Sequence, residues 1–203
     1  MRGVVTTFNL DHFVCAGKQQ TDLNALITAR NPEVIMVQEA QNLNLRKYIP
    51  VTYDTNQVME TEELRRVAII WKKSTFDEVK TVGIEGRDST RYTSRITLSN
   101  KADGRKTRFL AVKMPPDQAG QSTMASRLVE IYASNKLDNF VMAGDFQYPL
   151  VSDDYGIARR TKLSMRIYKK EGFFIPSLLN PSSVTTGPRS NSDHLPVNLT
   201  LDL

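Results

Sequence analysis

Asn139–Gln147, NFVMAGDFQ, is the most informative segment of the chain about its fold. Phe140 to Ala143 make a short apolar run of the buried-strand type, and Gly144 permits a tight turn at its end. Asp145 is then expected at the mouth of a sheet, with Phe146 turned back inward and Gln147 beside the carboxylate. A carboxylate and an amide two residues apart at a strand end can share one water or one phosphate oxygen. Alone, such a pattern is more often just a turn, so its weight depends on other polar strand ends converging on it.

Working outward, such ends recur. Gly3–Leu10 (GVVTTFNL) predicts a core strand with Asn9 near its C-terminal end, and Val34–Val37 (VIMV) predicts another that runs into Gln38-Glu39. Between them Thr21 suits an N-cap for a helix over 22–30, stopped by Asn31-Pro32. Residues 66–73 read as a strand, with 76–85 as its hairpin partner. Strands over 92–98 and 108–114 flank the turn SNKADGRK and end at Lys113-Met114-Pro115-Pro116. Ser122 suits the cap of a second helix whose Met124, Leu128, Ile131 and Tyr132 form a core stripe. Short strands over 164–168 and 173–179 follow, and the closing strand begins at Asp193-His194.

Composition narrows the setting. The 203 residues suit one domain, 1–203, and 40% hydrophobic with 24% charged residues is ordinary for a globular protein. A single cysteine, Cys15, excludes an internal disulfide framework and suits a reduced, packed thiol. No apolar run reaches spanning length and no secretory pattern opens the chain, so a cytoplasmic protein with no membrane partner is expected. Net charge of +5 suits a polyanionic partner such as nucleic acid, though a mildly basic protein without one carries the same charge.

Asn9, Glu39, Asp145 and the Asp193-His194 pair thus all sit at strand ends. Their order, within TTFNL, VIMVQEA, RVAIIW, FLAVKMPP, NFVMAGDFQ, SMRIY and SDHLPV, resembles the endonuclease/exonuclease/phosphatase (DNase I-like) superfamily across residues 6–197. The resemblance implies an α/β fold, a four-layer sandwich of two central sheets with helices outside. It also implies divalent-metal-dependent hydrolysis of phosphoesters, with Mg²⁺ or Mn²⁺ held by hard oxygen ligands from Glu39 and Asp193. Asp145 would activate the attacking water with Gln147 beside it. Asn9 would hold a ligand or phosphate oxygen, and His194 would bond the phosphate in the transition state. Arg91 or Arg95 would grip a substrate phosphate, unless both are solvated sheet-edge charges.

Three positions depart from the family pattern. Lys113 stands where His or Tyr is usual, Gln147 where Asn is usual, and Tyr168 where the strand before the last loop usually carries Asp. An ammonium cannot accept a proton at neutral pH, and a phenol cannot support an imidazolium as a carboxylate does. Three functions therefore stay open: a nuclease-type phosphodiesterase with a variant site, a catalytically inactive pseudonuclease serving as a nucleic-acid-binding or assembly module, and a phosphatase of small or lipid-derived phosphates. Lys113 itself is expected either to pair with the carboxylates as an internal cation or to run past the rim into solvent.

Overall fold

The computed structural model of the protein describes residues 1–11, 13–57, 59–60, 63–64, 66–79, 92–134, 137, 139–147 and 156–203. Its first half runs β1 (Arg2–Asn9), α1 (Ala16–Arg30), β2 (Val34–Gln38), α2 (Leu45–Tyr48), β3 (Tyr53–Thr55), the small ribbon β4 (Met59–Glu60) and β5 (Glu63–Leu64), and β6 (Ala68–Lys72). The second half runs β7 (Phe76–Glu78), β8 (Thr93–Asn100), β9 (Lys106–Lys113), α3 (Gln118–Ala133), β10 (Asn139–Asp145), α4 (Ile157–Thr161), β11 (Ser164–Tyr168), β12 (Glu171–Ile175), β13 (Thr185–Thr186) and β14 (Val197–Asp202).

Two six-stranded mixed sheets result, ordered β13-β14-β1-β2-β6-β3 and β11-β12-β10-β9-β8-β7. Strand period assigns each residue to a layer. Val5, Val34, Met36, Ile69, Phe109, Ala111, Val141, Ala143, Phe173 and Ile175 pack between the sheets. Phe8, Ile35, Val37 and Ile70 face outward onto Leu23, Leu26 and Ile27 of α1. Leu110, Val112, Phe140 and Met142 face outward onto Met124, Leu128 and Ile131 of α3. Helix, sheet, sheet, helix is the four-layer sandwich expected. Among the described residues, no helix is long and apolar enough to cross a membrane.

Several local expectations are corrected. Helix α1 begins six residues before Asp22, because the Thr21 hydroxyl donates back to the Gly17 carbonyl (2.9 Å) inside the helix instead of capping it. Asp117, not Ser122, caps α3, accepting from the Gly120 N–H at 2.7 Å. Strand β7 pairs with β8 and lies in the other sheet from β6, while residues 80–85 of its expected extent fall outside the described residues. Cys15 is exposed, not packed. Gly144 makes no turn: it lies within β10, where a Cβ would stand 1.8 Å from the Val112 carbonyl oxygen, so it is needed for close approach of two strands.

Candidate functional site

Each sheet contains one pair of parallel strands at its centre. In the first sheet Asn9 of β1 is opposite Gln38 of β2; in the second Lys113 of β9 is opposite Asp145 of β10. Both pairs present their C-terminal ends at the same rim. On the inner face each strand turns from apolar to polar as it nears its end at the rim. Val5 leads through Thr7 to Asn9, Met36 to Gln38, Ala111 to Lys113, Ala143 to Asp145, and antiparallel β12 runs back from Ile175 and Phe173 to Glu171. The apolar layer between the sheets therefore ends in a buried polar one.

Within that layer, Lys113 Nζ donates to Glu39 Oε1 at 2.5 Å and to Asp145 Oδ2 at 2.6 Å. Asn9 Nδ2 bridges the same two oxygens, at 3.1 and 2.9 Å. Asp145 is completely buried and is held further by the Gln147 N–H on Oδ1 (2.8 Å) and Gln147 Nε2 on Oδ2 (3.3 Å). Both Glu39 (φ 57) and Gln147 (φ 64) hold left-handed backbone, as does nearby Asp11 (φ 57). Such conformations cost roughly 1–3 kcal/mol each for non-glycine residues and collect where a side chain must be aimed.

A second centre adjoins the first. His194 Nδ1 lies 3.1 Å from Glu171 Oε1, and its Nε2 lies 3.2 Å from Asp193 Oδ1 and 3.9 Å from Asp145 Oδ2. The Thr7 hydroxyl donates to Glu171 Oε2 (3.3 Å) and accepts from Gln38 Nε2 (3.2 Å). The loop carrying His194 is pinned at several points. Ser192 Oγ donates to the Asn9 carbonyl (2.9 Å) and accepts from the His194 N–H (3.0 Å). Buried Asp22 of α1 takes both the Asn191 N–H and its Nδ2, each at 2.7 Å.

Charges in this enclosure shift one another. Burial works against the Lys113 ammonium, but Asp145, by charge and hydrogen bond, and then Glu39 overcome it and hold its pKa above the ordinary value. Burial also opposes charge on His194; the Glu171 hydrogen bond and the charges of Glu171, Asp145 and Asp193 outweigh it and raise its pKa. Burial pushes Glu171 up to about 7, with the His194 hydrogen bond pulling the other way. The pair thus retains a proton near neutrality, and the rise at His194 follows directly from the anions around it.

The structure brings Asn9, Glu39, Lys113, Gln147, Asp193 and His194 around one cleft of about 210 Å³, with fully buried Asp145 bonded to Asn9 and Lys113 of its wall. Tyr168 lies beside it, lining a smaller cleft with Glu171 and His194. The place behind the imidazole that Tyr168 was expected to fill belongs to Glu171, directly opposite Tyr168 across the Lys169-Lys170 turn. Arg95 is a correction: it alternates with inward Ser94 and Ile96, pairs with outward Leu110, and so sits on the α3 face. Arg91 lies outside the described residues. Glu171 was the residue missed. Beginning β12 at Phe173 hid it, although Glu171, Phe173 and Ile175 share the period-two face that identifies the other rim residues.

The implied metal can be tested against these groups. Glu39 Oε1 is engaged by an ammonium, and the Asp193 side chain is 73% exposed and turned to His194. A divalent ion on Glu39 would stand close to a like charge, a repulsion on the order of several kcal/mol even with partial screening. Glu39 and Asp193 therefore do not fit the ion while Lys113 keeps its position. The tighter grouping is Asp145, Glu171 and His194, whose ligand atoms lie within 4.8 Å of one another. Those atoms face Lys113 and each other.

No protein-family model and no curated protein matches the chain. Solved structures do. An endonuclease/exonuclease/phosphatase from Bacteroides vulgatus superposes with TM-score 0.79 at 15% identity, over 100% of this chain and 99% of its own. A humanized D. rerio TDP2 gives 0.78 at 12%, over 100% and 99%. The endonuclease domain of TRAS1, a telomere-specific non-LTR retrotransposon, gives 0.74 at 12%, over 99% of each. With two mixed sheets between helices and polar strand ends gathered at one rim, the chain has the DNase I-like fold of the endonuclease/exonuclease/phosphatase superfamily.

Proposed function

We propose that this chain is a pseudonuclease: a nucleic-acid-binding module of the DNase I-like fold in which a tethered ammonium supplies the positive charge the carboxylates need. The observation that carries this reading is Lys113 Nζ at 2.5 and 2.6 Å from Glu39 and Asp145. Buried carboxylates facing one another repel unless a cation lies between them, and Lys113 is that cation. Its position is fixed by strand register, opposite Asp145, so the charge cannot leave with a product or exchange with solvent. His194, Lys113 and the Gln147 amide remain as donors suited to a phosphodiester oxygen, while both donor hydrogens of the Asn9 amide are spent on Glu39 and Asp145. The net charge of +5 supports a polyanionic ligand, and so does a D. rerio TDP2 of this fold solved with a single strand DNA product.

One observation favours a second reading, a phosphodiesterase working with Mg²⁺ or Mn²⁺. The His194–Glu171 pair is intact, and a histidine backed by a carboxylate is acid–base equipment. Calorimetry with Mg²⁺ and Mn²⁺, together with cleavage of a labelled strand, separates the two. The wild type is expected to bind neither ion at this site and to leave the strand uncut. Lys113→His should gain metal affinity, and Lys113→His with Gln147→Asn should gain cleavage. Ready metal binding and cleavage by the wild type would overturn the proposal. Binding to the strand should weaken log-linearly with salt, as counterions are released from phosphates.

A further inference from the structure

The loop that carries His194 leaves β13 and returns to β14, and its neck is closed twice. Thr186 pairs with Val197, and the Gly187 N–H donates to the Pro196 carbonyl (2.7 Å). From this neck the loop follows α1 towards the rim, one helical turn at a time. Arg30 Nη2 donates to the Thr186 carbonyl (2.9 Å). A Cβ on Gly187 would stand 3.4 Å from Leu26 Cδ1, so the neck lies against the next turn. One turn further, Asp22 Oδ2 accepts from the Asn191 N–H and Asp22 Oδ1 from Asn191 Nδ2, both at 2.7 Å. Arg30, Leu26 and Asp22 are four positions apart and form a single stripe of the helix.

Asp22 is 4% exposed, and it is the one charged residue on the buried face of α1, beside Leu23, Leu26 and Ile27. An apolar side chain there would extend the stripe and cost no desolvation, so packing does not explain the carboxylate. What it holds does. Asn191 is exposed, yet its backbone and its amide both turn in to Asp22. Beyond it, Ser192 Oγ accepts from the His194 N–H (3.0 Å) and Ser190 Oγ donates to the His194 carbonyl (2.7 Å), so residues 190–194 form one closed turn. Ser192 Oγ also ties that turn to the Asn9 carbonyl (2.9 Å). One bond leaves a turn free to pivot. Two parallel bonds to a carboxylate are stronger and also fix orientation, and Asp22 supplies them.

We infer that Asp22 is the positioning residue of His194: by holding Asn191 from α1, it sets the orientation of the 190–194 turn and so delivers the imidazole to Glu171. Asp22 does not touch the ring and acts through Asn191. The Lys113 centre takes its members from β1, β9, β10 and the end of β2, none of them on this loop. Such placement is needed whether His194 binds a phosphate oxygen or moves a proton.

The test reads the proton shared by His194 Nδ1 and Glu171 Oε1, by ¹⁵N-edited NMR of the imidazole rings. The Gln147 N–H, bonded to Asp145 Oδ1, reports on the Lys113 centre in the same samples. The wild type should show a slowly exchanging ring N–H, which His194→Ala assigns by removing it. Asp22→Asn turns an amide N–H towards the Asn191 donors and should abolish that signal while the Gln147 resonance stays in place. Asn191→Ala keeps the backbone bond, and the ring N–H should exchange at least about tenfold faster. Asp22→Asn combined with Asn191→Asp exchanges donor for acceptor, preserves both bonds and should bring the signal back. An unchanged ring signal in Asp22→Asn would overturn the inference. So would a Gln147 resonance that moves with it, since Asp22 would then support the fold at large, and so would an exchanged pair that folds without the signal. If Asp22→Asn fails to fold, Asn191→Ala at its exposed site decides, and an unchanged exchange rate there is the overturning result. Absence of the ring signal from the wild type would overturn the His194–Glu171 bond and the role of Asp22 with it.

Discussion

The two halves of the rim deal with buried charge in different ways. Around Lys113, a fixed cation lies between Glu39 and Asp145, and its proton is held more tightly than usual. Around His194, the charge is a proton shared with Glu171, and both groups titrate above their ordinary values. The first arrangement is closed and insensitive to ordinary pH. The second is poised near neutrality. Asp145 belongs to both, taking Lys113 at 2.6 Å and facing His194 Nε2 at 3.9 Å. The contrast shows that neighbouring buried carboxylates can be balanced by a fixed ammonium in one half and by a shared proton in the other, because the two halves draw on different strands.

The largest expected effect comes from breaking the frame both halves share. Gly144→Ala would put a methyl 1.8 Å from the Val112 carbonyl oxygen, and neither strand can yield without parting β9 from β10. A loss of at least about 4 kcal/mol is expected, seen as an unfolded or insoluble chain by circular dichroism. A melting temperature close to wild type would show that the strands are not held as described.

Lys113→Met breaks the first half alone. It leaves Glu39 and Asp145 facing one another without their cation and should cost about 3–5 kcal/mol in urea unfolding at neutral pH. Added Mg²⁺ should restore part of the loss in this variant and change nothing in the wild type. An equal response of both proteins to Mg²⁺ would erase the distinction between the two halves.

The second half should reveal itself through pH. Raised folded-state values at Glu171 and His194 mean that the native chain binds more protons than the unfolded one, so stability falls as pH rises. For Glu171 the fall begins near its ordinary 4.5 and continues through about 7; for His194 it continues upward from its ordinary 6.5 to its raised folded value. The Glu171 shift alone is worth on the order of 3 kcal/mol over that range. Unfolding in urea at pH 5, 6.5 and 8 should show the slope, and Glu171→Gln should flatten it. Lys113 adds nothing in this window, since its raised value lies above the ordinary 10.5. A wild type equally stable at all three pH values would refute the shared proton.

Arg95→Ala should have the smallest effect. On the α3 face, away from both halves, it is expected to change stability by less than about 0.5 kcal/mol and to leave strand affinity as it was. A clear loss of affinity would bring the outer face of the second sheet into the binding surface.

Much of this molecule is written in the period of its apolar residues. NFVMAGDFQ, VIMVQE and GVVTTFNL each identify a buried strand and the polar residue that ends it, because a strand covered on both faces is apolar until it reaches the rim. Asn9, Glu39 and Asp145 were legible for that reason, and His194 as the polar residue in the loop ahead of the closing strand. The chemical departures at Lys113 and Gln147 were legible too, as side chains of the wrong kind in recognisable places. Tertiary structure alone decided what those departures do. Glu171 became the partner of His194 through pairing of β12 with β11 and β10 and the fall of a distant loop, contacts spanning 23 residues for the imidazole and 164 for Thr7. Arg95 and Arg91 looked alike in sequence, but only register could put Arg95 on the outer face. Whether Lys113 ran into solvent or turned inward depended on Asp145 standing opposite it in a parallel pair and Glu39 arriving from the other sheet. Local pattern determines which residues reach the rim, since side-chain alternation is a property of one strand; which charges meet there depends on strands brought together from across the chain.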